Sequence, residues 1–515
     1  MIDRLFFIGP ILVLLTWFVA GQWDLAGPET RAWLQFAGVV CLASMTPLPG
    51  TSWSLSGLRA RALVGVDRRS GVGGGIVTAE ASAASRAVRW LLVGITSAML
   101  MLHGAGWATA ASIFWQRAVL YAPRIQSAIV IGLGLLVLRA ASGPRRRRRL
   151  VVLGVLVIAA VAFVAVPLPK EFAGESFMPG GHDTGRSRGQ FENRFRVWQG
   201  DVHFHSHLGD VMMTVLDGAF GRSETSPASA YDTLSRLAGL LFLLELGLAA
   251  AWHKWSRRSC RYVGLAMTTP LCLLFFGYWD LGYLCMAVGV VPLLALARGR
   301  MPVQAHAATL IAGFLQGLHT ALHGFGLLGL AGGALTALSG RGDTLRRGLR
   351  AATFTSAAVA LYLGWIFFYV TVGSLSVVWE RQIGYRPFFE PMIFDNKIAN
   401  PLLSWAGFGE FGLFSALSGV PILALALLSF RKAAVVPAIL FALPGLIFLV
   451  RWWPPSAPFN LDLMLSVFPG VFAACWVLAS SRRTSMRAFL LLSGLHVLLW
   501  TTVGNGVFAR VDVTP

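Results

Sequence analysis

The sequence predicts an all-α protein: a polytopic transmembrane helical bundle of about 13–15 spans, with outer loops that carry short interfacial helices. Three observations lead to this fold class. Of the 515 residues, 56% are hydrophobic and only 13% are charged, whereas a soluble domain has about 25% charged residues. Apolar runs of about 20 residues recur along the chain, which is the length that crosses a bilayer as a helix. Arginines are concentrated in the short connections between these runs.

The apolar runs define the elements in order, and the first of them is interpreted as a retained anchor because no small-residue cleavage site follows it. The run 305–340 is too long for one crossing, and Gly324 and Gly326 divide it into two helices. The predicted spans are 5–20, 32–48, 89–114, 126–142, 150–167, 236–252, 262–278, 281–297, two within 305–340, 351–372, 408–430, 433–450, 462–480 and 487–503.

The charge pattern predicts the orientation of these spans. The formal net charge is +20, but the arginines lie in inter-helix clusters such as Arg145 to Arg149, the pattern of cytoplasmic loops. We therefore expect membrane lipids as partners and no nucleic acid. The predicted location is a bacterial plasma membrane, with a cytoplasmic N-terminus and functional loops on the extracytoplasmic face.

By the same alternation, the long polar segments lie outside. The chain divides into N-terminal transmembrane helices (1–167), a long extracytoplasmic loop with a His/Asp cluster (168–235), and C-terminal transmembrane helices (236–515). Two more outer loops are predicted at 373–407 and 451–461. The stretch 211–220 is typical of a short interfacial helix that returns the chain to the bilayer.

The long loop carries the densest group of candidate functional residues. Asp201 and Asp210 flank three histidines at alternate positions, His203, His205 and His207. Imidazole and carboxylate together bind divalent metals, so Mn, Mg or Zn is a candidate cofactor. The alternative is a solvated polar loop whose histidines bond to the backbone.

A second pair, His319 and His323, is spaced i, i+4 and therefore shares one helix face. The pair could join the loop histidines at a metal, or the two rings could be hydrogen-bonded within the bundle. Glu245 is the main ionisable residue deep inside a predicted span. Either it packs against a partner or it belongs to a transport pathway.

Arginines on the outer side depart from the general charge pattern. Arg194 and Arg196 lie in the approach to the His/Asp cluster, and Arg381 and Arg451 lie in the other two outer loops. Guanidinium groups bind phosphate through two parallel hydrogen bonds. These four residues are therefore candidates for holding a lipid-linked phosphate.

The whole layout, many helices with acidic and arginine-bearing outer loops, resembles the GT-C class of integral-membrane glycosyltransferases. This resemblance implies an enzyme that moves a sugar from a polyprenyl-phosphate donor to an acceptor on the extracytoplasmic face. It implies that Asp201 or Asp210 is the acidic residue of the outer loop that acts as base or metal ligand, and that Arg381 or Arg451 contacts the donor phosphate. The alternatives are a His-rich, metal-dependent membrane enzyme or metal carrier and, third, a transporter.

Overall fold

The structure is a computed structural model. It describes residues 124–165, 208–209, 211–212, 215–216, 228–269, 287–297, 302–339, 343–372, 432–451 and 466–480. Residues 208–209, 211–212 and 215–216 are helical, and the last two pairs fall within the stretch 211–220, where a short interfacial helix is predicted.

Ten longer helices make up the described part of the chain, and the predicted all-α class is confirmed there. They are α1 (Arg124–Ala140), α2 (Arg145–Ala165), α3 (Ala228–Trp252), α4 (Arg257–Met267), α5 (Val290–Ala297), α6 (Pro302–Leu322), α7 (Gly326–Leu338), α8 (Thr344–Val372), α9 (Lys432–Arg451) and α10 (Phe468–Leu478). Within these residues, three helices are long and apolar enough to cross a membrane, at 145–165, 233–252 and 344–368. The protein is thus a helical membrane bundle.

Several helices begin earlier than the apolar runs that predict them. α2 starts at Arg145 rather than at 150, α3 at Ala228 rather than at 236, and α8 at Thr344 rather than at 351. Run length and hydrophobicity identify only the part of a helix that lies in the hydrocarbon core of the bilayer. Arginine is itself a good helix former, so α2 and α8 begin within the arginine-bearing stretches that precede their apolar runs, whereas 228–235 of α3 contains no basic residue.

Two predicted spans are not continuous helices. In the described part of the run 262–278, α4 ends at Met267, and Thr268 and Thr269 turn back onto the carbonyls of Leu265 and Ala266. Pro270 follows, and a residue before proline is disfavoured in the helical conformation.

The described part of the predicted span 281–297 also departs from a continuous helix. Residues 287–289 are not helical, and α5 begins only at Val290. The freed backbone groups are satisfied by side chains: Gly289 N–H donates to Glu245, and Val288 C=O accepts from the Tyr262 hydroxyl at 2.6 Å. Irregular backbone is tolerated at membrane depth when protein groups satisfy it in this way.

The break within 305–340 is confirmed. α6 ends at Leu322 and α7 begins at Gly326, so that three residues make the turn. The two helices then pack closely: a Cβ on Gly326 would come within 2.5 Å of Thr320 Cα, and one on Gly329 within 2.8 Å of Gln316 Nε2.

The basic ends of the helices gather at one end of the bundle, which we call the basic end. Arg148 of α2 donates to the carbonyl of Trp255, in the turn between α3 and α4. Arg258 of α4 donates to the carbonyl of Trp476 near the end of α10, and Arg350 of α8 donates to that of Ala297, the last residue of α5.

At the other end, Arg236 of α3 donates to the carbonyls of Phe163 and Val164 near the end of α2. This is the end from which the chain leaves α2 and enters α3. We call it the histidine end, because α6 runs away from the basic end and is followed on this side by the turn that carries His323.

Candidate functional site

Most of the site residues predicted from the sequence lie outside the described residues. They are Arg194, Arg196, Asp201, His203, His205, His207, Asp210 and Arg381. Of the others, His319 and His323 lie at the end of α6 and in the turn after it, and Arg451 is the last residue of α9. The described part of the site is therefore the histidine end of α6, α7 and α9.

A buried Glu–His pair joins α3 to α6. His319 Nε2 lies 2.5 Å from Glu245 Oε1, and the side chains are only 3% and 1% exposed. A carboxylate oxygen accepts, so the imidazole Nε2 carries the proton. The other oxygen, Glu245 Oε2, accepts from Gly289 N–H at 2.7 Å. Both oxygens of this carboxylate thus have a protein partner, as a buried charge requires.

Glu245 therefore links three elements: its own helix α3, the broken segment before α5, and α6. The sequence left open whether Glu245 packs against a partner or serves a transport pathway, and the contacts favour the first alternative. The i, i+4 spacing of His319 and His323 places both rings in the interior, and each is hydrogen-bonded there, as the packing alternative predicts.

His323 organises the turn that follows α6. Its Nδ1 accepts from the backbone N–H of Phe325 at 3.2 Å, and its ring packs edge-on against the Phe325 ring at 4.8 Å. Phe325 in turn packs against Phe448 of α9, with ring centroids 5.2 Å apart. The turn is thereby attached to the final part of α9.

This contact brings two predicted site elements to the same end of the bundle. Arg451 follows Phe448 by three residues, which is about 4.5 Å along a helix. The helix terminus that carries Arg451 therefore lies close to the His323 turn. From Arg451 the chain enters the predicted outer loop 451–461.

Gln316 fixes the geometry of the α6–α7 hairpin. Its Nε2 donates to the carbonyl of Gly326 at 2.8 Å, and the side chain is buried. Thr320, one turn later, donates to the Gln316 carbonyl. Gln316, His319 and Thr320 give α6 a polar stripe that His323 continues into the turn, at i, i+3, i+4 and i+7 spacing.

The predicted metal site is only partly covered by the described residues. Among the described residues, no three His, Cys, Asp or Glu side chains are grouped so that they could hold a metal ion. His319 Nε2 is hydrogen-bonded to Glu245. A shared metal between this pair and His203, His205 and His207 stays a prediction.

Glu245 as the partner of His319 was not predicted, and neither were Gly289 and Gln316. Glu245 is a lone carboxylate in an apolar helix, which does signal a buried partner. The partner itself lies 74 positions away in sequence, and no local pattern connects positions so far apart.

No protein-family model matches the chain, and no curated protein is similar to it in sequence. Among solved structures, the chain is similar to the crystal structure of the Archaeoglobus fulgidus oligosaccharyltransferase in complex with zinc and sulfate, with 14% identity and a TM-score of 0.37. The match covers 69% of this chain and 53% of that enzyme. The chain thus spans about half the length of that protein, and a likeness of this extent carries no functional argument.

Proposed function

We propose that the protein is a membrane glycosyltransferase that moves a sugar from a polyprenyl-phosphate donor to an acceptor hydroxyl on the extracytoplasmic face. The observation that carries the proposal is the convergence at the histidine end. The α9 terminus that ends in Arg451 lies beside the His323 turn, at the end of the bundle opposite to the basic helix ends. The predicted outer loops 168–235 and 451–461 begin from this same end.

In this proposal, Asp201 or Asp210 is the general base. It removes the proton from the acceptor hydroxyl, whose oxygen then attacks the anomeric carbon of the donor sugar. The bond between that carbon and the phosphate oxygen breaks, and the polyprenyl phosphate leaves with the bonding electrons. Arg194, Arg196, Arg381 and Arg451 are the candidates that stabilise the negative charge of the leaving phosphate.

Glu245 and His319 are positioning residues in this proposal. They fix α3 and the segment before α5 against α6, and α6 leads directly into the turn beside α9. The His203, His205 and His207 cluster could additionally hold a divalent metal, which would polarise the donor phosphate.

The test is an incubation of the purified full chain with radiolabelled polyprenyl-phosphate sugars and a panel of acceptor hydroxyl compounds. We expect Asp201→Ala or Asp210→Ala to lower kcat by a factor of about 10²–10⁴, the range typical of a lost general base. Asp343→Ala is the matched control, because Asp343 is an exposed carboxylate at the start of α8, at the basic end.

Arg451→Gln should raise the KM for the donor about tenfold or more, since it removes a charged hydrogen bond to phosphate. Arg346→Gln, at an exposed arginine at the basic end, is its control. Equal turnover by the wild type and both aspartate variants would remove these carboxylates from the mechanism. Absence of turnover with every donor would contradict the transferase assignment itself.

A further inference from the structure

A group of exposed cations lies at the basic end, on α1, α2 and the turn between α3 and α4. We call this group the arginine cluster. Arg148 is only half-buried and donates to the carbonyl of Trp255 at 3.1 Å, so the start of α2 is attached to that turn. The exposed members are Arg139, Arg145, Arg146, Arg147, Arg149, Lys254 and Arg257.

The surroundings of the arginine cluster contain no compensating charge in the described chain. Residues 124–165 and 253–269 include no aspartate and no glutamate. A second basic group, at the start of α8, differs in this respect, because Arg346 there pairs with Asp343 at 3.5 Å.

The stability of α2 does not explain why arginines occupy its start. They occupy the first turn of α2, where the helix dipole is positive and disfavours cations. Of the five consecutive arginines, Arg148 has a structural contact to another element, whereas the other four side chains are exposed.

An apolar stripe continues from the arginine cluster along the same face of α2. Arg149 is followed at helical spacing by Leu153, Val157, Val161 and Val164, which are 38–62% exposed. From Arg149 to Val164 the helix rises about 22 Å, more than the ~15 Å of hydrocarbon in one leaflet. The surface therefore presents guanidinium groups at one end and an acyl-length apolar face below them.

We propose that the arginine cluster and this stripe form a binding site for an anionic phospholipid of the leaflet at the basic end. The phosphate of the headgroup pairs with the exposed arginines, and the acyl chains lie along the stripe. A zwitterionic phospholipid satisfies the apolar face equally well but carries no net charge, so the site selects by headgroup. This inference does not depend on the proposed transferase activity, whose described residues lie at the opposite end.

The test uses native mass spectrometry of the full chain, released from detergent micelles that contain equal amounts of phosphatidylglycerol and phosphatidylcholine. We expect the wild type to retain phosphatidylglycerol preferentially. Arg146→Gln and Arg149→Gln should each reduce this preference about fivefold, from the usual contribution of one basic residue near an anionic surface. The matched control is Arg346→Gln, which should change the preference less than twofold because Asp343 already offsets that charge.

A measurement on the wild type keeps the proposal testable if the variants fold poorly. Raising the NaCl concentration from 50 to 500 mM should reduce the preference, because exposed charges are screened. Equal retention of the two lipids by the wild type would overturn the proposal. A preference for phosphatidylglycerol that survives both arginine substitutions would also overturn it. The same holds if polyprenyl phosphate displaces the bound lipid but added phosphatidylglycerol does not.

Discussion

Replacing Glu245 with alanine should destabilise the bundle strongly. The change removes the acceptors of His319 Nε2 and of Gly289 N–H, in a site where the side chains are 1–3% exposed. Leaving two buried donors without an acceptor costs about 1–3 kcal/mol each, or about 2–6 kcal/mol together. Counting two hydrogen bonds to a charged group, at about 1.5–3 kcal/mol each, gives a similar total of about 3–6 kcal/mol.

The measurement is the free energy of unfolding of the purified protein in mixed micelles, followed by circular dichroism during an SDS titration. Glu245→Gln should have a smaller effect, about 1–3 kcal/mol, because the amide oxygen still accepts from one donor while its NH₂ faces the other. His306→Ala is the control, since His306 is an exposed histidine on the same helix as His319 and should change stability by less than about 0.5 kcal/mol.

A double-mutant cycle separates the pair from its surroundings. If Glu245 and His319 interact as described, the double variant should be more stable than the sum of the single losses predicts, by about 1–3 kcal/mol. The reasoning would be refuted by strictly additive losses, or by a Glu245→Ala variant within about 1 kcal/mol of the wild type.

Two further predictions concern local structure and use the same unfolding assay. Gly445→Ala should destabilise the protein by about 3 kcal/mol, the upper end of the range for overpacking, because the added Cβ would collide with the Ser466 carbonyl. The control is Gly154→Ala, whose added Cβ has nothing within 4 Å and which should stabilise the protein by up to about 1 kcal/mol. Equal effects of the two substitutions would contradict the packing of α9 against α10. Asp343→Ala should cost about 1 kcal/mol, since its carboxylate accepts from the Arg346 backbone N–H at 2.7 Å at the start of α8, and Asp343→Asn should retain most of that stability.

The fold class was predictable because it depends on composition and on run length, which are local properties. The turn between α6 and α7 was predictable for a similar reason, since Gly324 and Gly326 mark it. Helix starts were predicted less well, because hydrophobicity stops at the arginines of α2 while the backbone hydrogen bonds continue through them.

The interruption before α5 shows what local patterns cannot predict. The sequence from 281 to 297 is apolar enough for an unbroken helix, and the break at 287–289 depends on Tyr262 and Glu245, which come from other elements. The spacing of His319 and His323 did predict a shared face. Whether Asp201, Asp210 and the arginines of the long loop approach that face stays a prediction.

The break before α5 has a consequence for biogenesis. A segment whose Gly289 amide bonds to Glu245 has no such partner while it is alone in lipid, where an unsatisfied amide is costly. Ribosomes complete α3 and α4 first, so the acceptor is already available when the later segment leaves the translocon. Insertion of this region is therefore expected to be cooperative, with α3 acting as a template for the segment made after it.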